Sequence, residues 1–93
     1  MSDDKYLGLT AYLRKQHTHG NNFFALSFQE INELSGFSTE HLKQCSNNCF
    51  DPCALGWLLA DYVMLDCSSQ KQEISFQYNP DKAESLFLLH SVS

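Results

Sequence analysis

Residues 26–45 read Leu26-Ser27-Phe28-Gln29-Glu30-Ile31-Asn32-Glu33-Leu34-Ser35-Gly36-Phe37-Ser38-Thr39-Glu40-His41-Leu42-Lys43-Gln44-Cys45. Ser27 and Glu30 stand at capping-box spacing, where each side chain satisfies the other's free backbone amide. They predict a helix over 28–35 with Phe28, Ile31 and Leu34 turned inward. Gly36 supplies the left-handed residue that ends such a helix. Ser38 then caps a third helix beginning at Thr39, with Leu42 and Cys45 inward. Two short helices bent at a glycine make a helix-turn-helix layout. Asn32 stands where a small residue usually eases the close crossing.

The flanks extend this unit. Upstream, Tyr6, Leu9 and Leu13 share one face of a helix expected over 3–16, widened by Leu7 and Ala11. Ser2 is its N-cap, Asp3 and Asp4 suit its positive end, and Arg14 and Lys15 suit its negative end. The polar run 17–22 stops it, and Phe23 to Leu26 reads as a short strand. Downstream, Asp51-Pro52 opens a helix with Leu55, Leu58, Leu59 and Tyr62 buried and Trp57 to one side. Val63, Leu65 and Cys67 alternate with Met64 and Asp66, and Ile74, Phe76 and Tyr78 alternate with Ser75 and Gln77, which predicts an antiparallel hairpin. Asn79-Pro80 starts a last helix over 81–90. The expected fold is α+β and winged-helix-like: helix, strand, helix, turn, helix, helix, hairpin, with an added C-terminal helix. One domain spans 1–93, with the winged-helix-like core over 3–78 and the extension over 79–93.

The chain has 93 residues, 43% of them apolar, and a net charge of −5. That composition supports a packed globule. No apolar run is long enough to span a bilayer, and no basic leader precedes one, so no membrane association and a cytoplasmic location are expected. Residues 44–93 carry Lys71 and Lys82 against Asp51, Asp61, Asp66, Glu73, Asp81 and Glu84, a balance of −4. Such a field attracts basic protein surfaces and repels phosphate backbones.

Several stretches resemble a family of small bacterial and phage domains of unknown function. They are Tyr6-Leu7-Gly8-Leu9-Thr10-Ala11-Tyr12-Leu13, Leu26-Ser27-Phe28-Gln29-Glu30-Ile31, Gly36, Trp57-Leu58-Leu59-Ala60-Asp61-Tyr62-Val63 and Ile74-Ser75-Phe76. The corresponding family motifs are Tyr-x-x-Leu-x-x-Tyr-Leu, Leu-Thr-Phe-x-Glu-Ile and Trp-Leu-x-x-Gly-Tyr-x-Val, closing in Val-x-Phe. The resemblance covers about residues 5–78. Two places depart from it. Paired tryptophans with a nearby basic residue give way to Cys45-Ser46-Asn47-Asn48-Cys49, and the glycine before the tyrosine is Asp61.

Four functional readings follow. The first is a non-catalytic acidic module that binds a protein with a basic surface through Phe50, Asp51, Trp57, Asp61, Asp66 and Glu73. The resemblance to phage domains makes this an accessory regulator, or a phage or mobile-element inhibitor that occupies the groove of a nucleic-acid-processing enzyme. The alternative is a helix-turn-helix transcriptional regulator that contacts DNA through Ser38, Thr39, Lys43, Gln44 and Lys71, dimerising through Leu86, Phe87 and Leu89. Third, Cys45-x3-Cys49-x3-Cys53, with Cys67, His41 or His17 as a fourth ligand, fits a small zinc-stabilised adaptor. Zinc knuckles favour two-residue gaps, and Cys45 and Cys67 also fit apolar positions, so buried thiols and no cofactor are the first reading. An enzyme comes last, because no phosphate-binding glycine loop, metalloprotease motif or nucleophile elbow occurs.

Overall fold

The computed structural model describes residues 5–47 and 51–91 of the chain. The elements are α1 Lys5–Thr18, β1 Phe23–Ser27, α2 Phe28–Ser35, α3 Thr39–Leu42, α4 Pro52–Leu58, β2 Tyr62–Ser68, β3 Glu73–Tyr78 and α5 Pro80–Ser91. The fold is α+β, with one antiparallel sheet in the order β1-β3-β2. The first strand thus joins the hairpin on its β3 side.

The local signals act as their chemistry requires. Glu30 donates its amide to Ser27 Oγ at 3.0 Å, and Ser27 donates its own to Glu30 Oε1 at 2.9 Å. Gly36 closes α2 at φ 90°. Asn32 secures the corner from outside by donating Nδ2 to the Phe37 carbonyl. Asp51 caps α4 through the Cys53 amide, and Asn79 caps α5 through the Lys82 amide.

Helix α1 runs beyond 16 to Thr18, and the turn ends at Gly20, whose φ of 83° a β-carbon would resist. Its proposed cap Ser2 and acidic start Asp3 and Asp4 lie outside the described residues. The buried stripe is Leu9, Thr10 and Leu13, whereas Leu7 and Ala11 are exposed. Neighbouring helices set that stripe. Gly8 lets the Leu34 carbonyl of α2 approach so closely that a β-carbon there would collide with backbone. On the other side Thr10 donates its hydroxyl to the Gly56 carbonyl of α4 at 2.7 Å.

The largest departure is α4. Expected to bury one face, it is wedged between α1 and the sheet. Cys53, Ala54, Gly56, Trp57 and Leu58 are all buried, Leu59 turns to solvent, and Tyr62 belongs to β2. A segment covered on two sides loses the one-sided period of a surface helix. Trp57, expected as an exposed anchor, is fully buried, packs against Phe76, and donates Nε1 to Asn47 Oδ1 at 2.9 Å.

Asn47 ties the α3–α4 connection to the sheet. Its Nδ2 donates to the Met64 carbonyl at 2.8 Å, and its Oδ1 accepts from the Met64 amide at 3.0 Å. One side chain thereby imitates a neighbouring strand at the β2 edge. A bulge between Met64 and Asp66 follows, which turns Leu65 outward where alternation predicts it inward. Val63 is buried on the opposite face from Phe76, the face on which α5 packs with its buried Ala83 and half-buried Leu86.

Candidate functional site

Two places gather functional side chains. The first surrounds β1. Register pairs Phe23 with Gln77 and Leu26 with Ile74, and the ladder continues as Tyr78 N–H to the Asn22 carbonyl and Phe28 N–H to the Gln72 carbonyl. Residues 22, 24, 26 and 28 therefore direct their backbone groups to β3, because an antiparallel ladder alternates. The N–H and C=O of Phe23 and Ala25 point the other way, along an edge with no paired strand among the described residues. Phe23 is 67% exposed and Ala25 is exposed beside it.

Beside this edge, a cleft of about 200 Å³ lies between β1, α1 and α2, lined by Tyr12, Leu26, Leu34, Glu30 and Glu33. Its floor is apolar and both carboxylates are exposed. Glu30 is held by the capping box, and Glu33 accepts from Gln29 Nε2 at 3.3 Å. On the other face of the sheet, Asp66 and Glu73 are exposed, at positions opposite Ser75 and Ser68. Neighbours on that diagonal stand roughly 7–8 Å apart.

The second place joins α3 to the start of α4. His41 Nε2 lies 2.8 Å from Asp51 Oδ1. The Cys45 thiol faces the His41 carbonyl, and donor atoms of His41, Cys45 and Asp51 all lie within 4.8 Å of one another. Phe37 meets the His41 ring edge-on at 5.3 Å. The nearby Cys45 thiol first, then burial and neighbouring negative charge, hold the pKa of buried Cys53 far above the ordinary thiol range. Burial, with Cys45 and Asp66 nearby, also raises Cys67, whose thiol donates to the Leu42 carbonyl.

No family model, curated protein or solved structure matches the chain.

The residues expected to bind a partner separate. Trp57 is in the core and Asp51 faces His41. Asp61 occupies the turn after α4 at φ 65°, a conformation that glycine adopts freely. Asp66 and Glu73 share a face, and Phe50 lies outside the described residues. Of the residues expected at DNA, Ser38 caps α3 by accepting from the His41 amide, Lys43 reaches Glu40 at 4.0 Å, and Thr39, Gln44 and Lys71 are exposed. Helix α3 has four residues, about one turn. Of the dimer residues, Leu86 packs against its own core, whereas the side chains of Phe87 and Leu89 lie outside the described set. Of the metal ligands, Cys49 is likewise outside it, and His17 is stacked on Tyr78 at 3.7 Å and bonded to Asn22. Sequence reasoning missed Phe23, Glu33 and Asn47. Phe23 opening the first strand of the chain was the one signal available, since a first strand often lies at a sheet edge.

Proposed function

We propose that the chain is a non-catalytic, acidic protein-binding module on a winged-helix-like scaffold. Helices α1, α2 and α4 with the sheet order β1-β3-β2 support that scaffold, α3 being a one-turn insertion before α4 and the hairpin the wing. The partner presents an extended basic segment that adds a strand to β1. The open β1 edge carries this reading. Backbone groups of Phe23 and Ala25 offer the ladder bonds, Phe23 offers an aromatic anchor, and Glu30 and Glu33 rim a cleft suited to a lysine or arginine with its stem on Tyr12 and Leu34. Acidic Asp66 and Glu73 favour the same partner from the other face. Helix-turn-helix DNA binding has less support: one helical turn, one cation paired with Glu40 and one lysine on the hairpin offer few phosphate contacts.

The test is fluorescence anisotropy of a labelled peptide alternating lysine with valine. Expected are binding that weakens as salt rises and a loss of binding in Ala25→Pro. Proline there removes an amide directed away from β3, so the sheet keeps its ladder. Glu33→Lys weakens binding separately. Binding indifferent to both substitutions, or no binding at low salt, refutes the reading.

A further inference from the structure

The geometry points to a zinc site built by His41, Cys45 and Asp51, at the connection between α3 and α4. Nothing in it depends on the β1 edge, with which it shares no residue. His41 lies on α3 and Cys45 just beyond its end, where the Cys45 thiol meets the His41 carbonyl at 3.5 Å. Asp51 arrives from the far end of the connection, and its Oδ1 contacts His41 Nε2 at 2.8 Å while accepting the Cys53 amide at 3.0 Å. One nitrogen, one carboxylate oxygen and one sulfur form a donor set that suits a borderline ion with no preference for planar geometry, which is zinc, with water in the fourth position.

The separations fit. Tetrahedral zinc, with nitrogen at about 2.0–2.1 Å and thiolate at about 2.3 Å, sets its ligand atoms roughly 3.3–3.8 Å apart. His41, Cys45 and Asp51 already have donor atoms within 4.8 Å of one another, so closure takes about 1 Å of adjustment. The supporting groups are in place: the edge of Phe37 fixes the His41 ring, and the Cys53 amide orients the Asp51 carboxylate. On coordination Cys45 loses a proton and gains a sulfur–zinc bond, so one zinc ion releases one proton from this thiol. Cys67, bonded to the Leu42 carbonyl, stays outside the set.

The experiment titrates the reduced full-length chain with cobalt(II) and then displaces it with zinc. Expected are one ion per chain, a thiolate-to-cobalt charge-transfer band, the intense visible bands of tetrahedral cobalt, and proton release. His41 is partly exposed, so His41→Gln keeps the fold and weakens binding by at least about tenfold. Cys45→Ser removes the charge-transfer band, and His17→Gln leaves it unchanged. If the serine variant fails to fold, His41→Gln and Asp51→Asn decide. A spectrum without thiolate charge transfer, or affinity unchanged in both His41→Gln and Asp51→Asn, overturns the site.

Discussion

Replacing Asn47 with alanine tests how the fold holds the segment that carries Asp51. The amide makes three bonds, of 2.8, 3.0 and 2.9 Å, to the Met64 carbonyl, the Met64 amide and Trp57 Nε1. Trp57 is fully buried, so losing its acceptor strands a donor away from water, at about 2 kcal/mol. Met64 is half-buried on an edge that water can reach, so its two bonds contribute about 1 kcal/mol together. Asn47→Ala is expected to cost about 3 kcal/mol, roughly 12–24 °C in melting temperature for a domain of this size. Asn47→Asp keeps the acceptor for Trp57 and the Met64 amide but loses the Nδ2 donor, and should cost about half as much. Urea unfolding followed by the emission of Trp57, the single tryptophan, reads both. A loss below about 1 kcal/mol in Asn47→Ala, the range of an ordinary surface change, refutes the role of this side chain. Equal losses in the two variants remove the Trp57 bond from the explanation.

Asp61→Gly is expected to stabilise by about 1 kcal/mol in the same assay, because a β-carbon at φ 65° is strained and glycine is not; destabilisation would show that the Asp61 side chain holds the turn. In metal-free, reduced protein, stability should be flat up to about pH 9 and fall above it. The folded Cys53 thiol keeps its proton well beyond the ordinary value of 9.0, while the unfolded one ionises. The folded state then binds more protons, and stability falls at about 1.4 kcal/mol per pH unit. Tyr62, raised by burial and by Tyr78, adds to the slope above its ordinary value of 10.0. Urea midpoints from pH 7 to 10 should show the fall in the parent chain and a shallower one in Cys53→Ala; matching slopes count against a buried neutral thiol.

Helix boundaries were legible because their signals are local. Ser27 with Glu30, Gly36, Asp51-Pro52 and Asn79-Pro80 each act within four residues, and each lies where its chemistry places it. Burial was legible for Ile74 and Phe76, whose strand has one covered face. It failed where contacts come from far along the chain. Trp57 read as lateral because the period of α4 assumes a single neighbour, whereas both α1 and the sheet cover it. Leu65 read as inward because one inserted residue reverses alternation, and the bulge follows the Asn47 contact 17 residues upstream. His41 and Asp51 are ten residues apart and read as an optional fourth zinc ligand and a helix cap. Asp51 is indeed the cap, and the same oxygen meets the imidazole, a double use that spacing does not reveal.

Charge counted along the chain has a similar weakness. The negative balance of residues 44–93 directed attention to Asp51, Asp61, Asp66 and Glu73. Folding spends Asp51 on His41 and the Cys53 amide and sets Asp61 in a turn, so half of that group does not form a common surface. Glu30 and Glu33 come from the nearly neutral first half, yet they flank the cleft because α2 follows β1 without a linker and turns its acidic side along it. A partner responds to charges within about a Debye length, roughly 8 Å at physiological salt, rather than to a sum over fifty residues. Asp66 with Glu73 on one face, and Glu30 with Glu33 beside the strand, are groups on that scale. An acidic module that works through them should therefore lose affinity when Glu33 is reversed and keep it when the sign of Asp61 is changed. A sum over the second half of the chain predicts the opposite order.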